Sequence, residues 1–307
     1  MKMKFKITLK KDLILVFISL CSHTLVLAQE SPKSLFEKVS AQSSGINFKN
    51  RIDIKPEVMN ILSNDLYYNG SGVSIGDINN DGLPDVFFAS TTRGNNKLYL
   101  NKGNFTFEDI TEKAGVKGMS DWNTGTAMAD VNGDGYLDIY VCTISSIYNL
   151  KGHNELYLNN GDGTFTECAA KYGLAHSGTS IQIAFFDYDK DGDMDCYLVT
   201  YSLHHSDVPK DSARRKIPDA FYGSKFFRND INTTGTFTDV SKQAGIFQSN
   251  IGHGLGIGIG DFNNDGWDDI YLSNDLLERD YFYINNGNGS FTENSEKHFD
   301  HFCRFSM

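Results

Sequence analysis

The sequence predicts an all-β protein, a β-propeller of four-stranded blades. Three observations carry that prediction. A nine-residue acidic loop, Asp-x-(Asn/Asp)-x-Asp-Gly-x-x-Asp, is written four times. Each copy lies between short runs of small, β-branched and aromatic residues, which suit buried strands. The unit around the loop recurs at spacings of roughly 50–75 residues and carries four strand signals each time.

The first strand of each unit is small-residue rich: Gly72-Val-Ser-Ile-Gly, Gly125-Thr-Ala-Met-Ala, Ile181-Gln-Ile-Ala-Phe and Leu255-Gly-Ile-Gly-Ile-Gly. The acidic loop follows. Its side-chain oxygens stand at positions 1, 3, 5 and 9: Asp77, Asn79, Asp81 and Asp85 in the first copy, and Asp130, Asn132, Asp134 and Asp138 in the second. The third has Asp187, Asp189, Asp191 and Asp195, and the fourth Asp261, Asn263, Asp265 and Asp269. The residue at position 7 (Leu83, Tyr136, Asp193 or Trp267) can add a backbone carbonyl. Oxygen at alternate positions around one glycine is what a hard cation needs, because calcium takes six to eight oxygen ligands. The glycine at position 6 permits the sharp turn. One Ca²⁺ per loop is the expectation.

The same opening positions fit an EF-hand, so position 12 decides. An EF-hand needs a bidentate Glu there, on an exiting helix. Position 12 is Phe88, Val141, Leu198 or Leu272, none of which binds a cation. The runs after the loops, such as Ile139-Tyr-Val-Cys and Ile270-Tyr-Leu-Ser, read as a second strand. The EF-hand is excluded, and the loop joins two strands.

A third strand ends in Asn: Leu98-Tyr-Leu-Asn, Leu156-Tyr-Leu-Asn, Phe226-Phe-Arg-Asn and Phe282-Tyr-Ile-Asn. Turns such as Asn160-Gly-Asp-Gly163 and Asn286-Gly-Asn-Gly289 then signal a hairpin. The fourth strand opens with Phe107, Phe165, Phe237 or Phe291. Phe36-Glu-Lys-Val-Ser40 matches that opening without the three strands that should precede it. Residues 34–50 are therefore expected to be half of a blade closure, the device by which a propeller removes its open edges. By phase, Met307 falls just before a fifth first strand. The expectation is a fragment of a longer propeller; the alternative is a four-bladed ring ending there. The domain reading is residues 1–28 as a signal peptide, 29–66 as an N-terminal segment with the blade-closing strand, and 67–307 as propeller repeats.

These loops, with the Leu-Tyr-Leu-Asn-Asn-Gly-Asp-Gly-Thr-Phe run at residues 156–165, resemble FG-GAP/VCBS repeats as found in integrin α-subunit propellers. Together with Phe-Glu-Lys-Val-Ser at 36–40 and Gly-Ile-Asn-Phe at 45–48, they are similar to bacterial relatives of cartilage acidic protein. The resemblance covers about residues 34–307. It implies a calcium-stabilised, seven-bladed extracellular propeller with no established catalytic residues. It also implies a C-terminal ASPIC/UnbV module, which this sequence lacks along with the later blades.

Composition agrees. Aromatics make up 13% of the chain, with 22 Phe and 15 Tyr, while 29 Gly and 5 Pro suit turn-rich β structure. The net charge is −11, and residues 1–28 carry +4, which leaves the mature chain at −15. Much of that acidity sits in the loops and concerns ions. No basic face points to nucleic acid.

Lys2 to Lys11 precede the apolar run Leu13–Leu20, and Val26-Leu-Ala28 offers a cleavage site. Ser22-His-Thr24 breaks the run before it reaches the roughly 20 residues of a membrane span. The expectation is export, secreted or held at the cell surface or in the periplasm; the alternative is a lipoprotein anchored through Cys21. Cys142, Cys168, Cys196 and Cys303 show no CxxC or zinc spacing and read as small buried hydrophobes.

The eight histidines are scattered, and none forms an HExxH or a nucleophile elbow. The loop aspartates have a better use as metal ligands, and a cation-bound carboxylate is a poor general base. The chain reads as a non-enzymatic scaffold for an extracellular protein or glycan, with adhesion as one use. The alternative is a propeller enzyme on surface polysaccharide, a lyase or glycoside hydrolase. The third unit carries an insertion between Tyr201 and Ser224, and such connections tend to build binding surfaces. His204, His205, Arg214, Arg215 and Tyr222 are the candidate ligand contacts. The third loop has four aspartates at side-chain ligand positions against three in each other loop, so it should fill first.

Overall fold

A computed structural model of the chain describes residues 34–52, 59, 60, 62, 65–203, 212–275 and 278–300. The expected signal peptide, Cys21, His204, His205 and Cys303 lie outside these residues. The chain divides into residues 1–40 and a compact unit of residues 41–307. Residues 34–40 take no strand conformation, although the repeat phase expects a blade-closing strand in this segment. A fourth strand forms by pairing with a third, and each third strand among the described residues already pairs within its own blade.

In the larger unit the strands form four antiparallel sheets, each a four-stranded meander in sequence order. Blade 1 contains β1 (Val73–Gly76), β2 (Asp85–Phe88), β3 (Lys97–Asn101) and β4 (Phe107–Asp109). Blade 2 contains β5 (Asn123–Ala129), β6 (Asp138–Thr143), β7 (Glu155–Asn159) and β8 (Phe165–Glu167). Blade 3 contains β9 (Ser180–Phe186), β10 (Asp195–Thr200), β11 (Lys225–Asp230) and β12 (Thr236–Asp239). Blade 4 contains β13 (Gly254–Gly260), β14 (Asp269–Asn274), β15 (Tyr281–Asn285) and β16 (Phe291–Glu293). The acidic loop joins the first two strands of every blade, so the expected four-stranded blades are present.

First strands pack on one another in order, β1 on β5, β5 on β9 and β9 on β13. Their small residues make this possible. A side chain at Gly72 would run into the Thr124–Thr126 backbone, and one at Gly125 would run into Ile181 and Gln182. The Gly72 N–H donates to the Thr124 carbonyl across that contact, at 2.6 Å.

The core lies between blades rather than inside one. Ile78, Phe87 and Leu98 of blade 1 meet Ile139, Val141 and Tyr157 of blade 2. Tyr140 and Leu156 meet Leu198 and Phe227 across the next interface, and Tyr197 and Phe226 meet Ile270 and Tyr283 across the third. Burying a side chain of this size is worth roughly 1.5–3 kcal/mol, so each interface rests on several such groups. Cys142 and Cys196 are fully buried free thiols, in keeping with a packing role. The segment after helix α1 (Ala41–Ser44) is fastened to blade 1: Phe48 stacks on Phe88 at 4.8 Å, and Asn50 Oδ1 accepts the Thr91 N–H at 2.9 Å.

Candidate metal centres

All four acidic loops share a common frame of hydrogen bonds. The position-1 carboxylate accepts the N–H groups of positions 5 and 6: Asp77 from Asp81 and Gly82, Asp130 from Asp134 and Gly135, Asp187 from Asp191 and Gly192, and Asp261 from Asp265 and Gly266, at 2.7–3.1 Å. The position-5 carboxylate accepts the N–H of position 7 at 2.9 Å in every copy. Positions 4 and 6 are both left-handed, with φ between 58° at Asn80 and 94° at Gly192. That conformation explains Asn or Gly at position 4 and Gly at position 6. Lys190 is the exception at position 4, at φ 61°, and its ammonium lies 4.2 Å from the centre of the Trp267 ring.

The position-9 aspartate is the buried anchor. Asp85, Asp138, Asp195 and Asp269 are each shielded from solvent. One oxygen accepts the N–H of position 2: Ile78 at 3.0 Å, Val131 at 2.9 Å, Tyr188 at 3.2 Å and Phe262 at 3.1 Å. The other accepts the N–H of the asparagine ending the third strand: Asn101, Asn159, Asn229 or Asn285, at 2.7–2.8 Å. Burial nevertheless dominates. It raises Asp85 and Asp269 above the usual carboxylate range, and pushes Asp138 up to about 7 and Asp195 up to about 8, against the lowering effect of those amides.

Position 3 separates the third loop from the others. In loops 1, 2 and 4 the Asn79, Asn132 and Asn263 amides donate to the position-5 carboxylate at 2.8–3.0 Å and so relieve its charge. Asp189 has no proton to give. Its Oδ1 is buried without a hydrogen-bond partner, and burial together with Asp191 raises its pKa. Asp187, Asp189 and Asp195 each bring a carboxylate oxygen to within 4.8 Å of the other two. Like charges so close are costly without a cation, and an all-oxygen donor set suits a hard divalent ion. The residues present fit calcium.

The insertion lies at the other end of blade 3, and of its candidates Arg214, Arg215 and Tyr222 are among the described residues. Arg214 and Arg215 sit in a 3₁₀ turn, Ser212–Lys216. The Arg215 guanidinium is engaged by Glu278, Nε to Oε1 at 2.5 Å, which ties the insertion to blade 4. Tyr222 packs edge-on against Phe221 at 4.7 Å, and its N–H donates to Asp219. At the same end, a cavity of about 420 Å³ opens among Leu66, Trp122, Ile144, Gln182 and Leu255, where first strands converge. Acidic loops and cavity therefore occupy opposite ends of the blades.

Sequence reasoning missed the asparagine at the end of the third strand as a loop residue. Its recurrence at one place in four repeats was the available signal.

The profile of the FG-GAP-like repeat matches residues 60–141, 144–198 and 261–302. The chain belongs to the FG-GAP-like repeat family. It is similar to cartilage acidic protein 1 of Xenopus tropicalis, 27% identical over 240 residues, covering 76% of this chain and 33% of that protein. The mouse protein of the same name is 28% identical over 232 residues, with 74% and 32% covered. A T-cell immunomodulatory protein homolog of Plasmodium falciparum is 26% identical over 254 residues, with 68% and 34% covered. The chain thus spans about a third of the length of these relatives. Among solved structures, an Agrocybe aegerita lectin that recognises non-reducing terminal N-acetylglucosamine aligns with a TM-score of 0.40 and 21% identity, covering 71% of this chain and 50% of the lectin. Among the described residues, no helix is long and apolar enough to cross a membrane.

Proposed function

We propose that this protein is an exported, calcium-binding FG-GAP propeller that serves as a non-enzymatic scaffold for an extracellular protein or glycan. The carrying observation is the third loop, whose three carboxylates converge and whose Asp189 oxygen is left buried without a partner. Calcium would be held by positions 1, 3, 5 and 9, with the carbonyl of position 7 completing each set. When bound, the ion supplies positive charge that the loop's own donors do not.

The chain's residues do the rest. The N–H groups of positions 5, 6 and 7 orient the carboxylates of positions 1 and 5 within the loop. The buried position-9 carboxylate joins the loop to the third strand, so anything that orders the loop also braces the blade. Ligand binding is assigned to the opposite end, where the cavity and the insertion lie. Residues 1–28 serve as the export signal in this reading, and 67–307 as the scaffold.

The test is a binding screen of the mature chain against glycans and extracellular proteins, in calcium and in chelator, with protease resistance followed in parallel. Ligand capture and protease resistance that both fall in chelator are expected. Unchanged protease resistance in chelator contradicts the calcium role, and turnover of a polysaccharide contradicts the non-enzymatic one.

A further inference from the structure

We infer that the asparagine ending the third strand of blades 2, 3 and 4 is a positioning residue that couples its own metal loop to the loop of the preceding blade, so that the sites fill cooperatively. This rests on the calcium reading above.

The contact occurs at all three interfaces. Asn159 Nδ2 donates to the Leu137 carbonyl of its own loop at 3.2 Å and to the Ile78 carbonyl of the preceding loop at 2.8 Å. Asn229 reaches Met194 at 3.1 Å and, in the preceding loop, Val131 at 2.8 Å. Asn285 reaches Asp268 at 3.2 Å and, in the preceding loop, Tyr188 at 2.9 Å. All three asparagines are buried. The accepting carbonyl always belongs to position 2, between the oxygen-bearing side chains of positions 1 and 3. The same asparagine gives its backbone N–H to the position-9 carboxylate of its own loop, at 2.7–2.8 Å.

A continuous path therefore runs from one loop to the next. An ion that fixes the position-9 carboxylate fixes the asparagine, which in turn holds the position-2 peptide of the neighbouring loop. The ordering cost of that peptide is then met once for two sites, which is positive coupling. Position 4 adds local links: Asn80 Nδ2 donates to the Gly135 carbonyl of loop 2 at 3.0 Å, and Lys190 lies over Trp267 of loop 4. Loop 2 has Gly133 there, with no side chain to reach loop 3.

Blade 1 provides an internal control. Asn101 keeps the own-blade bonds, to Asp85 at 2.7 Å, from Gly103 at 2.9 Å and to the Pro84 carbonyl at 2.8 Å. Among the described residues it makes no cross-blade bond. An Asn101→Ala change thus removes the local role of this side chain and leaves the coupling role untouched.

The experiment uses terbium, with luminescence excited through Trp267 at position 7 of loop 4; the second tryptophan, Trp122, lies at the opposite end of the blades. Asp187→Asn with Asp189→Asn disables loop 3. The expected result is terbium affinity at loop 4 weakened about fivefold or more. In an Asn285→Ala background, disabling loop 3 should change that affinity by less than about twofold, a difference near the error of such a cycle. In an Asn101→Ala background the full effect should persist. An undiminished effect in Asn285→Ala, or its equal loss in Asn101→Ala, overturns the coupling while leaving calcium binding intact. No terbium signal at any concentration overturns the calcium reading and the coupling together. Should Asn285→Ala fail to fold, Asn229→Ala supplies the second readout: its calcium isotherm should lose slope relative to the unchanged chain, and an unchanged slope overturns the inference.

Discussion

At the ninth position of each loop, one carboxylate holds two pieces of backbone, its own loop and the third strand. Asp195 accepts the N–H of Tyr188 from its own loop and of Asn229 from the third strand, and it is fully buried. Replacing it by Ala leaves two buried donors unsatisfied, which costs about 2–4 kcal/mol even without metal. Asp191 is solvent-exposed, so Asp191→Ala should cost less than about 1 kcal/mol in chelator. Urea unfolding in chelator checks both. The buried carboxylates also set a pH dependence. Burial raises Asp138 to about 7 and Asp195 to about 8 in the metal-free chain, far above the unfolded value near 4. The folded state therefore holds more protons than the unfolded state across that window. The contribution of these two groups to metal-free stability is fully present below about pH 4 and is lost as pH rises through 7 and 8. Thermal melts in chelator should show the midpoint falling between pH 5 and 8, and the increment given by calcium growing over the same range.

Strands and loops were legible in the sequence where a local chemical rule writes them. Oxygen at alternate positions around a glycine is such a rule, and so are the small first strands that let Gly72 and Gly125 approach neighbouring backbone. Partners distant in sequence were not legible. Asn159 and its acceptor Ile78 are 81 residues apart, and Arg215 lies 63 residues from Glu278. The Phe36-Glu-Lys-Val-Ser pattern was legible as a fourth strand and yet forms none, because a strand exists only where a neighbour pairs with it. Two predictions belong to this scale. Arg215→Ala strands the Glu278 carboxylate in a buried site and should cost about 2–3 kcal/mol, after allowance for the partial exposure of the arginine, while Arg214→Ala should be near neutral. Chemical denaturation separates the two. At position 2, Ile78, Val131 and Tyr188 are 2–3% exposed between blades, whereas Phe262 is 50% exposed. Val131→Ser should therefore cost about 2–3 kcal/mol and Phe262→Ser under about 1, read from the same unfolding curves.

For the molecule as a whole, the blades behave as a chain of like parts joined face to face. Each interface has an apolar centre and, at the metal end, one asparagine strut. Because acidic loops crowd one end, their mutual repulsion and the cohesion that the proposed calcium ions would supply fall on the same surface. The opposite end carries the cavity and the tethered insertion, to which the proposed function assigns recognition. The most direct test of this account is calorimetric titration of the chelator-stripped chain with calcium. The account predicts saturable heat with more than one ion bound per chain, the first uptake being removed by Asp187→Asn with Asp189→Asn. A flat titration to millimolar calcium would contradict it.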